Sequence, residues 1–560
     1  MTYYRFALCT SLEKVFPEKP PKTMEREEEK LQIFHGERTA FQLAYYVDHT
    51  GTDLLEENLC IEVKASPGIR VSLYRVGLAP SAFPCDGAHD EDYLTTSPGM
   101  FPDILWRLDE PKLRGICGQW RSVWIELMPE KNCPDGMGEV SLLVHTEKRE
   151  VFYQKRLSVD VLCNALPRQR LIHTEHLHID CLADYYRAEV FSERHWELIK
   201  NFMKTAAERG INMVLTPLFT PPLDTGVGLE RTTVQLIDVE KHRENYQFDF
   251  RRLERWIDLA GKCGIQYMEM AHLFSQWGAK YAPKIIAVEE GERKQIFGWE
   301  SPGDDPAYLD FLRQFLPELK RFLEEKGVLD RVWFHVSDEP TKIHLETYQK
   351  AHRWVKELLP GCRILDALSD YAFYELGIVE HPVVSTDHME AFVRAGVKDL
   401  WAYYCCAQGV DVSNRFFAMP SCRNRIIGVQ LYLYAVEGFL HWGYNFYNTR
   451  FSAKKIDPFA VTDCGENFPS GDAFLVYPGE DGKPVPSIRF AVLEHALNDL
   501  RALQYLESLT SRAYVVRQIE DRAGVITWKQ YPRNPEFILQ LRRWVNEEIK
   551  QRSPSDKEVR

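Results

Sequence analysis

Apolar and polar residues alternate along four segments within the first 168 positions. These segments read FQLAYYVDH, SVWIELMP, EVSLLVHT and KRLSVDVL, and turns that contain Pro or Gly separate them. A period of two is typical of strands that bury one face. We therefore predict an N-terminal β-sandwich domain over residues 1–168, ending near Pro167 and the polar RQR that follows it.

Beyond this point the period changes, because short apolar runs alternate with long amphipathic helices. This alternation is typical of βα units around a parallel sheet. The candidate strands are His176–Cys181, Ile211–Phe219, Ile265–Phe274, Arg331–Asp338, Arg363–Leu368, Val383–His388, Leu400–Cys405 and Gly438–Asn445. They predict an α/β fold with a (β/α)8 TIM-like barrel over residues 169–515, whose chemistry would lie at the C-terminal ends of the strands.

Capping residues mark several of the predicted helices. Ser192 and Gly210 bracket the first, and others run from Phe250 to Lys262 and from Ala307 to Lys326. A final helix near Ser487–Leu509 would close the ring. For residues 516–560 we predict an extension that packs on the barrel. It would consist of a strand (VITWKQY), an amphipathic helix and a charged tail.

Length, charge and cysteine content argue against several classes of protein. The 560 residues suffice for two or three domains, and the net charge of −13 without a basic stripe argues against nucleic acid as a partner. There is no apolar leader, no membrane-length apolar run and no CxxC among the 13 cysteines. We expect a cytoplasmic protein that does not bind membranes, and a homo-oligomer remains an open alternative.

The sharpest candidate for chemistry is the segment RVWFHVSDEP. A hydrophobic strand runs into Asp338 and Glu339, and Pro340 ends the regular ladder. The plain alternative is that the acids cap the next helix. At the end of the fourth barrel strand, however, the pair fits the acid/base position of many barrel glycosidases.

Such enzymes usually place a second carboxylate across the sugar. The predicted seventh strand, LWAYYCC, offers none, and Asp387 on strand six is the nearest spare acid. One solution is attack by the substrate's own 2-acetamido oxygen. The protein then needs one protonated acid and one ionised neighbouring carboxylate that holds the acetamido N–H, and the adjacent Asp338 and Glu339 suit this division of labour.

Other polar residues occupy predicted strand ends. We expect Trp442 to form the floor of the sugar site and Asn445 to bind a hydroxyl. The remaining candidates for substrate binding, each with a satisfied interior polar group as its alternative, are His178, Asp180, Thr216, His272, Asp387, His388 and Tyr403. There is no HExxH or similar ligand pair, so we predict neither a metal nor another cofactor.

The chain resembles glycoside hydrolase family 123 and the related proteins of domain of unknown function 4091. The matching stretches are FHVSDEP, LTPLFTPPLDT, HLFSQWGA, GFLHWGYNFYN and SGDAFLVYPGEDG followed by SIR. This resemblance implies a β-sandwich before a barrel and a retaining β-N-acetylgalactosaminidase that uses substrate assistance. It implies that Asp338 is the stabilising acid and Glu339 the acid/base, acting on a small glycan or glycoside. The loops after strands two and three are more similar to the relatives without an assigned activity.

Two alternatives stay open. One is a non-catalytic carbohydrate-binding protein on the same scaffold, against which the intact SDEP argues. The other is a glycosidase of different sugar specificity or stereochemistry that pairs Glu339 with Asp387. A carboxyl separation of about 5–5.5 Å would indicate a protein nucleophile, and about 6.5–9.5 Å an inverting water.

Overall fold

The N-terminal part of the chain forms ten strands. The computed structural model describes residues 2–26, 28–49 and 55–553. The strands are β1 (Thr2–Thr10), β2 (Lys30–His35), β3 (Thr39–His49), β4 (Leu55–Ala65), β5 (Ile69–Ser81), β6 (Gly99–Arg107), β7 (Lys112–Ile116), β8 (Gln119–Pro129), β9 (Gly136–Thr146) and β10 (Val151–Ala165).

These strands build two five-stranded sheets, in the orders β1-β3-β8-β5-β6 and β2-β10-β9-β4-β7. Inward-facing residues of both sheets, such as Leu43, Ile125, Leu142 and Val159, share one hydrophobic core. All four segments with alternating polarity lie within strands, namely β3, β8, β9 and β10. The alternation predicted these strands because each one buries a single face.

Fourteen shorter strands follow. They are β11 (Ile172–Glu175), β12 (Met213–Thr216), β13 (Asp238–His242), β14 (Asn245–Asp249), β15 (Tyr267–Met270), β16 (Ile285–Glu289), β17 (Glu292–Phe297), β18 (Val332–Phe334), β19 (Arg363–Ala367), β20 (His381–Ser385), β21 (Trp401–Tyr403), β22 (Gly438–His441), β23 (Val476–Pro478) and β24 (Pro484–Pro486).

Eight of them close into a parallel barrel in the order β11-β12-β15-β18-β19-β20-β21-β22. Apolar side chains, including Met213, Trp333 and Leu440, fill its interior. The prediction for the first strand is wrong, because β11 precedes His176 and pairs in register with β22, Ile172 opposite Gly438. The segment that we predicted as this strand turns instead into a short helix.

The helices are α1 (Ile179–Tyr185), α2 (Glu193–Glu208), α3 (Arg251–Cys263), α4 (Pro306–Glu325), α5 (Leu345–Leu358), α6 (Ala372–Glu375), α7 (Met389–Arg394), α8 (Ser421–Arg425), α9 (Ile427–Leu433), α10 (Ile488–Leu509), α11 (Arg512–Ala523) and α12 (Pro535–Arg552). Ser192 caps α2 by accepting a hydrogen bond from the His195 N–H. Ser487 caps α10 in the same way through Phe490. Both caps agree with the helices predicted from the sequence.

A four-stranded sheet, β14-β13-β16-β17, is inserted in the loops after β12 and β15. The sequence analysis did not predict this sheet, because its strands are only five or six residues long. The predicted strand VITWKQY is also wrong, since residues 525–531 form turns and irregular backbone after α11. Within that segment Trp528 is buried and stacks on Tyr434. The segment therefore packs through its side chains and not through strand pairing. Of the charged tail, residues 554–560 lie outside the described part of the chain.

Buried ion pairs connect the N-terminal sheets to the barrel helices. Arg489 of α10 binds Asp103 of β6 through two hydrogen bonds of 2.9 Å. Arg209, after α2, binds both Glu126 of β8 and Glu494 of α10.

Among the described residues, no helix has the length and apolarity needed to cross a membrane.

Candidate active site

Asp338 and Glu339 lie at the C-terminal end of β18, in the mouth of the barrel. The strand ends at Phe334, and Glu339 adopts a left-handed backbone conformation with φ of 43°. Its N–H donates to the carbonyl of Ala367, at the end of β19. This departure from strand geometry ends the alternation that would place adjacent side chains on opposite faces.

The Asp338 carboxylate accepts a hydrogen bond from Gln276, with 3.0 Å between Nε2 and Oδ2. The Asp338 carbonyl accepts another from the Trp277 backbone at 2.9 Å. Burial, with the neighbouring charge of Glu339, raises the pKa of Asp338 well above its ordinary value. The loop after β15 therefore holds Asp338 from one side.

Glu339 is held by donors from two sides of the barrel mouth. The Tyr403 hydroxyl of β21 donates to its Oε1 at 2.8 Å, and the Trp277 indole provides a further hydrogen bond. Burial raises the pKa of Glu339, these two donors oppose the rise, and the charge of Asp387 adds to it. A general acid must keep its proton near the working pH, and a raised pKa is the direction that favours this.

The electrostatics of the free protein oppose the predicted ionisation of Asp338. The pKa values of both acids are raised, because two buried carboxylates side by side disfavour a double negative charge. Glu339 has two side-chain donors, whereas Asp338 has one. The pair therefore disfavours a double negative charge in the free protein, and the rise in pKa is the larger one for Asp338.

Asp224 is a third acid in this mouth, and the sequence analysis did not single it out. Burial raises its pKa to about 6, and the charge of Glu339 adds to the effect. Its backbone N–H donates to the side-chain oxygen of Gln276, Oε1, at 2.6 Å. Asp224, Gln276 and Trp277 all belong to segments that resemble the family, LTPLFTPPLDT and HLFSQWGA, which is the signal that could have identified them.

Two predicted residues follow β20. Asp387 accepts hydrogen bonds from Gln408, at 3.1 Å, and lies 2.9 Å from the Nδ1 of His388. The Asp387 side chain is 24% exposed and that of His388 is 55% exposed. Both side chains therefore lie at the open mouth, where a substrate can reach them.

Trp442 and Asn445 follow the last barrel strand. The Trp442 indole donates to Asp472 at 2.9 Å and its ring contacts those of Phe446 and Phe468. Asn445 is fully buried, and its amide accepts from the His178 N–H and donates to the His178 carbonyl. This interior role contradicts the prediction that Asn445 binds a sugar hydroxyl.

The residues predicted on strand one are also interior. Asp180 forms a two-point ion pair with Arg231, at 2.7 and 2.8 Å. The same guanidinium donates to His178 Nδ1 at 2.9 Å, and both His178 and Asp180 are buried. Their polar groups fix the start of α1 rather than face a ligand.

Thr216 points away from the barrel axis, where its hydroxyl accepts from the Trp256 indole of α3 at 3.1 Å. This contact contradicts a substrate-binding role. His272 is different, because neither ring nitrogen has a hydrogen-bond partner within the described residues. Its ring stacks on His335 at 4.1 Å, and it remains a candidate for the pocket.

Beneath the pair lies a buried ionic network. His335 lies between Glu269, 2.7 Å from Nε2, and Asp366, 3.0 Å from Nδ1. Although burial opposes it, these hydrogen bonds raise the pKa of His335 to about 9. Glu269 also contacts Thr174 and His176. The sequence analysis did not identify this network, because apolar residues flank its members.

Among the described residues, His272, His335 and Asp366 are close enough to suggest a metal site. Both nitrogens of His335 already bond to carboxylates, however, and a protonated imidazole offers no lone pair to a metal. The cluster therefore fits an ion-pair network better than a set of metal ligands.

Comparison with protein-family models identifies one family. The model of the glycoside hydrolase 123 catalytic domain matches residues 176–506. A solved structure of a family 123 glycoside hydrolase from Clostridium perfringens, studied for glycolipid glycan hydrolysis, is 16% identical with a TM-score of 0.71. The match covers 98% of each chain, and at this identity it shows the fold alone.

Other barrel glycosidases are much less similar. An endo-β-1,4-mannanase from Thermotoga petrophila is 13% identical with a TM-score of 0.34, over 60% of this chain and 77% of that one. A family 5 mannosidase from Rhizomucor miehei is 9% identical with a TM-score of 0.36, over 62% and 94%. No curated protein matches the sequence. Because the family model spans more than half of the chain, this protein belongs to glycoside hydrolase family 123 and is a glycoside hydrolase.

Proposed function

We propose that this glycoside hydrolase is a retaining exo-β-N-acetylhexosaminidase, specifically a β-N-acetylgalactosaminidase, that uses the substrate's 2-acetamido group as the nucleophile. The observation that carries the proposal is the Asp338–Glu339 pair, each acid held by its own donor from a different side of the mouth. We further assign the barrel to the (β/α)8 TIM-like class, in which substrates bind at this end of the strands.

In the proposed reaction the acetamido carbonyl oxygen attacks the anomeric carbon while Glu339 protonates the leaving oxygen. The acetamido N–H donates to Asp338, which favours its ionised form. Substrate binding would thus favour a proton on Glu339 over one on Asp338. Glu339, then ionised, takes a proton from the water that opens the cyclic intermediate.

Five further side chains are proposed to line the sugar site. Tyr403 contacts Glu339 directly, Trp442 offers its face, and the others are His272, Asp387 and His388. Trp277, 40% exposed and bonded to Glu339, is an addition that the structure suggests. A general acid lies beside the leaving group, so Trp277 would contact the aglycone.

The alternative that pairs Glu339 with Asp387 has one supporting observation, the charge of Asp387 acting on Glu339. In that case Asp387 would serve as the nucleophile or would activate water. The His388 and Gln408 contacts already occupy one Asp387 oxygen. We therefore prefer the 2-acetamido mechanism.

A panel of nitrophenyl glycosides tests the proposal. We expect hydrolysis of the β-N-acetylgalactosaminide, weaker activity on its gluco epimer and none on sugars without the 2-acetamido group. A thiazoline mimic of the cyclic intermediate should inhibit. Equal activity on 2-hydroxy and 2-acetamido sugars would reject substrate assistance, and cleavage inside long polymers alone would reject exo-action.

A further inference from the structure

The Gln276 side chain has an orientation that its two partners determine. Its Oε1 accepts the Asp224 backbone N–H at 2.6 Å, and its Nε2 donates to Asp338 Oδ2 at 3.0 Å. A backbone N–H can only donate, so the amide oxygen must face Asp224. The NH₂ group must therefore face Asp338, and a flipped amide would lose both hydrogen bonds.

The loop that carries Gln276 is attached to the segment that carries the acids. Trp277 N–H donates to the Asp338 carbonyl at 2.9 Å, and Ala279 N–H donates to Ser337 Oγ at 3.2 Å. The Ser337 hydroxyl in turn donates to the Ser275 carbonyl at 2.7 Å. These links on both sides of Gln276 fix its distance from Asp338.

The charges around Asp338 do not by themselves favour its anion. Glu339 and Asp224 both carry negative charge toward it, and His335, a cation that opposes them, lies between carboxylates of its own. Gln276 is a direct, uncharged donor to the Asp338 carboxylate, and it uses Oδ2 alone. Oδ1 is then left for a donor on the substrate.

We propose that Gln276 is a positioning residue for Asp338, with its fixed amide favouring the Asp338 anion and directing Oδ1 toward the 2-acetamido N–H of the substrate. This inference rests on the proposed function for its substrate, but its structural part concerns the carboxylate alone. Gln276 does not touch the reacting atoms, and its effect is transmitted through Asp338.

The test uses Gln276→Met, which keeps length and removes the donor, and Gln276→Glu, which replaces it by an acid. The control is Gln314→Met. On α4, far from the pair, Gln314 makes the same two kinds of contact, accepting from the Tyr246 N–H and donating to Asp310. Thermal melts of all three variants report any general loss of structure.

In the Gln276 variants we expect kcat/KM on 2-acetamido substrates to fall roughly ten- to hundredfold, the range for losing a hydrogen bond to a charged group. The fall should be equal for nitrophenyl and dinitrophenyl leaving groups, because the nucleophile and not the acid is affected. The pH profile of kcat/KM should show two apparent pKa values for the Asp338–Glu339 pair. Their sum measures the free energy of ionising both acids, and it should rise by about one unit or more. Gln314→Met should match the wild type in both readouts.

A loss confined to poor leaving groups, or a lower melting temperature with an unchanged pH profile, would overturn the inference.

A second measurement does not require turnover. Coupling of an amine by a water-soluble carbodiimide, followed by peptide mass spectrometry, reports protonated Asp338 at each pH. Gln276→Met should extend Asp338 labelling to higher pH. An unchanged labelling curve would reject the role of Gln276 even if the proposed function stood, and a shifted curve would support it even if the activity proved different.

Discussion

At the scale of single residues, three carboxyl groups of the barrel mouth have raised pKa values, those of Asp224, Asp338 and Glu339. Burial raises the pKa of each of them. Raised carboxyl pKa values close together are typical of sites that transfer protons near neutral pH. The neutral donors Gln276 and Tyr403 distinguish the two adjacent acids, because each binds a different one.

Trp277 provides a prediction at this scale. Because its side chain is 40% exposed and contacts Glu339, Trp277→Ala should raise KM by roughly fivefold, the value of a stacking contact of about 1 kcal/mol. The melting temperature should change little. Trp256→Ala is the matched control, since that ring is fully buried and its loss should cost about 3–5 kcal/mol of unfolding free energy. Equal destabilisation by the two changes would show that Trp277 is a structural residue.

The sequence predicted the acid pair but not the direction of every polar side chain around it. Asn445 and Thr216 were predicted to face the pocket, yet their partners are the His178 backbone and Trp256. A sequence shows which residues can bond, whereas a contact between residues 178 and 445 arises only from barrel closure. Gln276 and Asp224 were missed for the same reason.

At the scale of elements, the ends of β15, β18 and β19 are joined by the buried groups Glu269, His335 and Asp366. Glu269 accepts hydrogen bonds from donors on other strands, and His176 and His335 hold its pKa well below the ordinary value even though burial opposes this. Asp366 also accepts from Tyr348 of α5. Polar side chains thus fix strands that are only three to five residues long.

This network predicts a dependence of stability on pH. The pKa of His335 is raised to about 9, so its contribution is complete below the unfolded value near 6.5 and is lost as the pH rises through 9. The difference corresponds to on the order of 3 kcal/mol. Urea unfolding between pH 6 and 10 should show this decline in the wild type and a flatter profile in His335→Asn. Parallel profiles for the two proteins would contradict a charged His335.

Elements with a local sequence signal were predicted closely, and those that depend on distant contacts were not. Ser192 and Ser487 marked the starts of α2 and α10, because a side-chain oxygen that accepts a helix N–H is a local signal. The start of β11 depends instead on its register with β22, far along the chain. The inserted sheet of β13, β14, β16 and β17 gave no clear periodic pattern, because its strands are only five or six residues long.

At the scale of the whole molecule, buried ion pairs fix the two N-terminal sheets against the barrel. The Asp103–Arg489 pair joins β6 to α10, and the Tyr477 hydroxyl donates to the same carboxylate at 2.6 Å. Both charged side chains are only 2% exposed. The sheets and the barrel should therefore unfold together, although the change in period at Pro167 predicts separate domains.

Removing Asp103 tests this coupling. Asp103→Ala leaves the Arg489 charge buried and unpaired, so it should cost about 3–5 kcal/mol of unfolding free energy. Calorimetry should show one transition at a lower temperature. Lys350→Ala, which removes an exposed ion pair with Glu346, is the control and should change stability by less than about 1 kcal/mol. Two separate transitions in the wild type would show that the sheets and the barrel unfold independently.

The most direct test of the proposed chemistry compares Asp338→Asn and Glu339→Gln on 2-acetamido substrates with poor and with activated leaving groups. Glu339→Gln should lose about 10²- to 10⁴-fold in kcat on the nitrophenyl glycoside. It should recover most of that loss on the dinitrophenyl glycoside, whose leaving group needs no proton. Asp338→Asn should be slow on both, because it impairs the internal nucleophile. Mass spectrometry of each reaction should show unmodified protein. The opposite leaving-group dependence, or a glycosyl ester on Asp338, Asp387 or any other carboxylate, would contradict substrate-assisted hydrolysis by this pair.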